Sequence, residues 1–435
     1  MKIMKKSSLL KSMLPGGIIA VLCAIILAGC SNSNDNPPPV SSEYVVFASN
    51  TLGMHCLNPT YDVAVILPPY NTVLAQVVKR GNPPVIVTSG VTVDYKITGN
   101  TSSYGKRQYG GFWDNITALF GLPSLQHDIG LTGNGLSGTM AVAGGHFEAT
   151  GIPVVPVNDQ GVWDPLQVAE ITVKDGSGNT VASTKATVPT SDEINCGKCH
   201  GADPFNDILA KHDDEIGTSL MQAKPVLCAD CHGSEALGKP GRGSSGKYLS
   251  EAIHGFHADR GAACYDCHPG QTTKCNRSIK HTAADGNCIT CHGTMAQVAS
   301  STSTRVPWVN EPSCSTCHNE ATGVGSTSTL YRESTGHGDM LCSSCHGSPH
   351  AMVPSSKDVD NYQAMQYQPY STSPKTLGSC GTCHSSSRGE SDMGEYAEMH
   401  GGSNPEKQNG CFICHTSVST NTASWPHAYT WKNSN

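Results

Sequence analysis

Sixteen of the twenty cysteines in this 435-residue chain stand in copies of one pattern, Cys-x-x-Cys-His. The copies are Cys196/Cys199/His200, Cys228/Cys231/His232, Cys264/Cys267/His268 and Cys288/Cys291/His292, followed by Cys314/Cys317/His318, Cys342/Cys345/His346, Cys380/Cys383/His384 and Cys411/Cys414/His415. Residues three apart on a helical turn share a face, so both thiols can add to the vinyl groups of one porphyrin. The next residue then stands under the iron as its proximal ligand. A lone Cys-x-x-Cys could equally be half a zinc ribbon or a redox dithiol. Neither chemistry requires a His directly after the second Cys in all eight copies. The pattern is the attachment signature of c-type haem, and its repetition implies eight covalent haem c groups.

Each iron needs a sixth ligand or stays open for chemistry. Once the proximal histidines are set aside, the same region holds His212, His254, His257, His281, His337, His350, His400 and His427. Eight free histidines for eight irons, with imidazole a common haem ligand, point to bis-histidine ligation at most or all sites. Met340, Met352 and Met399 lie near motifs and are the alternatives, with a higher potential expected at a His/Met iron. His254 and His257 suit two neighbouring haems. His281 and His337, shortly before Cys288 and Cys342, suit haems stacked against their own motifs. The full pairing is left open by the sequence.

The elements that must position these groups fall into two parts of different composition. Residues 43–190 contain no motif and many short β-branched or alternating runs: Tyr44–Phe47, Val63–Leu67, Val85–Val87, Val93–Ile97, Val154–Val157, Glu170–Val173 and Thr180–Thr184. Gly, Pro and Asn punctuate them, as in Asp175-Gly-Ser-Gly-Asn179, which predicts an all-β, Ig-like sandwich. Residues 191–435 are rich in Gly, Ser, Thr and His, with a motif every 24 to 38 residues. So few large apolar side chains cannot offset the entropy of ordering this length. The expectation is a multihaem domain of loops and short helices wrapped round its porphyrins, with helical pieces at 205–212 and 248–257. The irregular intervals exclude a solenoid.

The N-terminus reads as an export signal. Lys2, Lys5, Lys6 and Lys11 precede an apolar run over residues 16–27, too short and wrongly flanked for a membrane span. Leu27-Ala28-Gly29-Cys30 then looks like a bacterial lipobox, with residues 1–29 the signal peptide and Cys30 the lipidated residue. Ser31, by resemblance to lipoprotein sorting, favours the outer membrane. Residues 30–42 are polar and Pro-rich, a flexible tether. An oxidising compartment fits the few leftover thiols. Cys23 leaves with the signal peptide, so Cys56 and Cys275 remain, either as a disulfide across the two parts or, the favoured reading, as independent thiols.

Several other features carry less. Gly241 to Lys247 nearly matches a phosphate-binding loop but lacks the terminal Ser/Thr and a preceding apolar strand, so it reads as a plain loop. His55, His127 and His146, with Met54-His55-Cys56 in sequence, offer the ingredients of a blue-copper site without its order and spacing. They read as structural histidines, His55 alternatively as a spare axial ligand. A net charge of −7 argues against nucleic acid and is compatible with basic redox partners.

With the motifs, the lipobox and the β-rich leader together, the chain resembles the multihaem c-type cytochrome lipoproteins of anaerobic metal-respiring bacteria. Cys264-Tyr-Asp-Cys-His-Pro-Gly with Thr273 and Cys275 is similar to a pattern found in such proteins. The resemblance implies electron relay to metal oxides, soluble metals or other cytochromes, from a lipid anchor on the periplasmic or cell-surface face of the outer membrane. The rival is a multihaem reductase of nitrite, hydroxylamine or a sulfur oxyanion. It is disfavoured because Cys-x-x-Cys-Lys is absent and the histidine count leaves no open iron. An electron carrier rather than an enzyme is therefore expected, with the β-rich part open as a docking module.

Overall fold

The computed structural model describes residues 43–81, 83–281, 288–300, 304–314, 329–367 and 382–383. The expected signal peptide, lipidation site Cys30 and tether lie outside these residues, as do Cys317, His318, Cys380, His384, Met399, His400, Cys411, Cys414, His415 and His427.

The strands in chain order are β1 (Tyr44–Asn50), β2 (His55–Cys56), β3 (Ala64–Val65), β4 (Asn71–Lys79), β5 (Val85–Val87), β6 (Val91–Ile97), β7 (Ser137–Thr139), β8 (Ala141–Ala143), β9 (His146–Ile152), β10 (Val168–Asp175), β11 (Thr180–Thr187), β12 (Thr190–Ser191) and β13 (Val226–Leu227). One antiparallel sheet has the order β1-β4-β9-β8 with β5 also on β4, and a second has the order β11-β10-β6-β7. Alternation builds the second sheet. In β6, Val93, Tyr95 and Ile97 turn inward while Asp94 and Lys96 turn out, as a two-residue period requires. These side chains, with Ala169, Ile171 and Val173 of β10, share one apolar core with Val46, Val73, Ala75, Val77, Phe147 and Ala149 of the first sheet. Each large apolar side chain so buried stabilises by about 1.5–3 kcal/mol. The β10–β11 turn closes where expected, with Asp175 Oδ1 accepting from the backbone N–H groups of Ser177 and Asn179.

Three stretches depart from the sequence expectation. β4 is buried at every position except Lys79, so the alternation that marks a half-exposed strand is missing. Val63–Leu67 contributes only the two residues of β3, and Val154–Val157 only a single bridge from Val157 to Trp163.

The motif region is built of short pieces: α3 (Gly197–His200), α4 (Pro204–Ile216), α5 (Leu249–His257), α6 (Cys264–Cys267), α7 (Cys288–His292), α8 (Met295–Val298), α9 (Cys342–His346) and α10 (Tyr362–Tyr367), after two short helices over 111–120 in the β-rich part. α4 and α5 cover the two expected helical stretches. Pro204 opens α4, and Gly217 closes it with φ 76°. Glu251 accepts from the Tyr248 N–H at the start of α5.

The two parts are stitched together at their edges. β13 pairs in parallel with β3, and Gln76 of β4 accepts from Leu341 N at 2.9 Å and Ser344 Oγ at 3.1 Å at the start of α9. α10 lies over the adjoining edge strands of the two sheets. Tyr367 Oη accepts from Val46 N and donates to Val46 O. Gln363 Oε1 accepts from Ala48 N, and its Nε2 donates to Ala48 O and Lys185 O. Gln366 bonds Thr184 and Ser183. Backbone groups that an open edge would leave unpaired are thereby satisfied. Among the described residues no helix is long and apolar enough to cross a membrane.

Candidate metal centres

A Cys-x-x-Cys-His sequence on a single helical turn is what positions two sulfurs and an imidazole together. The first, fourth and sixth motifs carry such a turn in α3, α7 and α9. In the third, α6 covers the cysteines and His268 follows in extended backbone, φ −87° and ψ 149°. The second lies on a 3-10 turn, Cys228–Asp230.

The two sulfurs of a motif are not placed alike in every copy. In the first, second and fourth motifs Cys196, Cys228 and Cys288 are half-buried, whereas Cys199, Cys231 and Cys291 are exposed. Each of these turns packs its first cysteine against the polypeptide and leaves its second on the outer side. In the third and sixth motifs both cysteines, Cys264 with Cys267 and Cys342 with Cys345, are half-buried. The proximal His268, His292 and His346 also keep accessible surface. A thioether sulfur and an iron-bound ring would have to face a porphyrin rather than the protein, and the outward placement of Cys199, Cys231 and Cys291 leaves room for one.

Four of the proximal histidines face a candidate distal histidine. Ring centres are 6.3 Å apart for His200 and His257, 6.4 Å for His212 and His232, 6.0 Å for His254 and His268, and 6.0 Å for His292 and His350. Two imidazoles bound trans to one metal, each nitrogen roughly 2.0 Å from it and each ring centre about 1 Å further back, would stand about 6 Å apart. The four pairs have that spacing. The ring planes are 76° and 78° apart in the first two pairs, 15° in the third and 35° in the fourth.

The nitrogens are also assigned. His254 Nδ1 lies 2.7 Å from Ser250 O, His257 Nδ1 2.7 Å from Ile253 O, and His350 Nδ1 2.8 Å from Leu52 O. A carbonyl only accepts, so each Nδ1 carries a proton, and in the neutral ring the lone pair is on Nε2. His200 Nδ1 donates to Asp207 Oδ2 at 2.7 Å. Thr218 spends its hydroxyl proton on Asp213 at 2.6 Å, so it accepts from His212 Nδ1 at 3.0 Å. Ser245 Oγ lies 2.8 Å from His232 Nδ1. A hydrogen bond on the second nitrogen is the usual arrangement of a metal-bound histidine.

Desolvation favours neutral rings. Desolvation pushes His268 and His292 down to about 4, although both keep accessible surface. The same cause lowers His232 and His254. Lys211 first, then His200, holds the Asp207 carboxyl below its ordinary range. His350 runs the other way. The neighbouring Cys275 thiol raises it to about 9, and that attraction lowers Cys275 although burial pulls the thiol up. With Nδ1 committed to Leu52, the extra proton sits on Nε2, where a metal would displace it. Burial raises the thiols of Cys196, Cys228, Cys342 and Cys345 to about 11 in the haem-free chain.

The elements interlock neighbouring centres. α5 brings His254 to the third motif and His257 to the first. α4 supplies both Asp207, beside His200, and His212, opposite His232. Lys198 of the first motif bonds Asp266 of the third at 2.7 Å. His281 Nδ1 lies 3.4 Å from Ser278 Oγ. The His337 side chain lies outside the described residues.

Sequence reasoning missed the residues that orient the rings. The loop set aside as a failed phosphate site folds over the second motif, with Ser245 N donating to Cys231 O at 3.0 Å and Ser245 Oγ at His232. A side chain at Gly243 would meet Cys231 O at 2.3 Å. The density of glycines directly after a motif was the available signal. In the β-rich part, His127 stacks on Tyr104 and His146 approaches Glu148 at 4.0 Å. His55 is buried with Nε2 lacking a hydrogen-bond partner, so it is not the satisfied structural histidine expected. Among the described residues no cluster of three or more His, Cys, Asp or Glu could hold a bare metal ion. Cys56 and Cys275 are free thiols.

Residues 256–347 match the family described as cytochrome c3. The match spans the third to sixth motifs and His257, and it supports a multihaem cytochrome c with covalently bound haem. No curated protein and no solved structure matches the chain.

Proposed function

We propose that this chain is an octahaem electron carrier, each motif holding one haem c between its own His and a second His. The reading rests above all on the four ring pairs, whose spacing and committed Nδ1 atoms suit an iron between them. The axial pairs are then His200/His257, His232/His212, His268/His254 and His292/His350. His281, His337, His400 and His427 serve the remaining proximal ligands His318, His346, His384 and His415. Bound haem would supply a one-electron couple whose potential follows its axial ligands, burial and nearby charge.

The protein's own residues do the rest. Asp207, Thr218, Ser245 and the carbonyls of Leu52, Ser250 and Ile253 fix ring orientation, and the motif cysteines fix the porphyrin edge. The interlocking of the second, first and third motifs through α4, α5 and Lys198–Asp266 favours a continuous relay through these sites. The scarcity of apolar side chains in residues 191–435 fits a polypeptide wrapped round its porphyrins, beside an Ig-like β-sandwich at 43–190. The lipobox at Cys30 supports a lipid anchor, placing the relay at the outer membrane, where other cytochromes or extracellular acceptors are its partners.

Low-temperature electron paramagnetic resonance of the oxidised protein, with haem quantified in the same sample, tests this. Eight haems per chain, all low-spin, are expected. A high-spin haem that shifts on adding nitrite, hydroxylamine or a sulfur oxyanion would overturn the carrier reading in favour of a reductase.

A further inference from the structure

The β-rich part reaches into the ligand set at one place. β1 ends at Asn50, a buried residue whose Nδ2 donates to Asn71 Oδ1 at 2.7 Å, at the start of β4. Asn50 Oδ1 in turn accepts from the N–H groups of Leu52 and Gly53, an Asx-type turn that fixes this corner. The corner points two carbonyls at the motif region. Leu52 O accepts from His350 Nδ1 at 2.8 Å, and Gly53 O accepts from Arg277 Nη1 at 2.8 Å.

Arg277 closes the clamp from the other side. Its side chain is 1% exposed, its guanidinium makes a bidentate pair with Asp360 at 2.8 and 3.0 Å, and its backbone N–H donates to His350 O at 2.7 Å. The fit is tight. Gly53 has φ +76°, and a Cβ there would come within 2.8 Å of His350 N and 3.0 Å of His350 Cβ. Both the backbone conformation and the approach exclude any other residue.

The geometry points to a role for the β-rich part: its Leu52–Gly53 corner is a positioning element for an axial ligand, holding His350 opposite His292. Coordination at the fourth motif is then set by a segment distant in the chain, and the β-rich part is an integral support of one centre. This rests on the reading that His292 and His350 form an axial pair, and it goes beyond it by assigning the residues that hold His350.

The holoprotein and three variants test it by electron paramagnetic resonance and by carbon monoxide binding to the reduced protein. His350→Ala reports on the pair itself and should create one carbon monoxide-binding haem per chain. Gly53→Ala should shift or partly open that same haem and leave the other low-spin signals in place. Gly90→Ala adds a Cβ at a comparable φ of +75° with nothing within 4 Å, so it controls for backbone strain alone and should change no haem signal. If Gly53→Ala does not fold, Asn50→Ala loosens the corner without adding bulk and should perturb the same haem. The clamp is overturned if His350→Ala opens a haem while the folded corner variant matches Gly90→Ala. If His350→Ala opens none, the axial pair fails and the clamp with it.

Discussion

Asp207 Oδ2 stands 2.7 Å from His200 Nδ1, on a ring whose centre is 6.3 Å from that of His257. A carboxylate on the distant nitrogen gives the imidazole more anionic character and makes it a stronger donor. That would favour the ferric over the ferrous state of a haem held at the first motif. Asp207→Asn should therefore raise the potential of one haem by tens of millivolts, where about 59 mV corresponds to a tenfold change for one electron. Spectroelectrochemical titration would show one component moving up; no movement, or a downward one, would contradict the role given to Asp207.

Ring-plane angles give a second prediction. Each imidazole interacts with the iron d orbital perpendicular to its own plane, so parallel rings split the two orbitals and crossed rings leave them nearly degenerate. His254 and His268, at 15°, should give a rhombic low-spin signal, and His200/His257 and His212/His232, at 76° and 78°, strongly anisotropic ones. His254→Met should remove the rhombic component and spare the anisotropic ones.

The motif cysteines, the proximal histidines and the pool of distal candidates were legible because each is a local pattern or a simple inventory. The partners of those histidines were not. His350 follows the sixth motif yet faces the fourth, and only tertiary packing brings Leu52 to its Nδ1. Nor did the pattern separate Cys199 from Cys196 or Cys291 from Cys288, because which sulfur turns outward depends on what each turn packs against. The β-rich character of residues 43–190 was readable from β6 and β10, which alternate. β4 was invisible because Asn71, Thr72 and Gln76 are buried for polar contacts along a strand covered on both faces. Ser245 shows the same limit, since a residue that orients a ligand through one hydrogen bond leaves no periodic trace.

The ion pair of Arg277 and Asp360, 1% and 4% exposed, is a third point of test. Removing one partner strands a buried charge and costs about 3–5 kcal/mol, whereas replacing both with apolar residues of similar volume can be near neutral. Asp360→Ala should thus lower unfolding stability by several times more than Arg277→Met combined with Asp360→Leu. Urea unfolding of the three proteins measures it, and equal losses would mean that the pair is solvated in solution.

Glu193 gives the acid response of the junction between the two parts. Its carboxylate accepts from Thr272 N at 2.6 Å, Thr273 N at 3.1 Å and Ser191 Oγ at 3.1 Å. Partial burial pulls its pKa up, but hydrogen bonding from the Thr272–Thr273 turn outweighs this and holds it below the usual glutamate value of 4.5. A carboxyl more acidic in the folded than the unfolded chain contributes stability in full above the unfolded value and loses it as pH falls through the folded one. The melting temperature of the wild-type protein should therefore drop between pH 5 and pH 3 more steeply than that of Glu193→Gln, which accepts hydrogen bonds but does not titrate. At pH 7 the variant should be the less stable of the two, because a neutral amide accepts from backbone N–H groups more weakly than a carboxylate. Parallel melting curves across that range would mean that Glu193 titrates alike in both states and that the turn does not hold its charge.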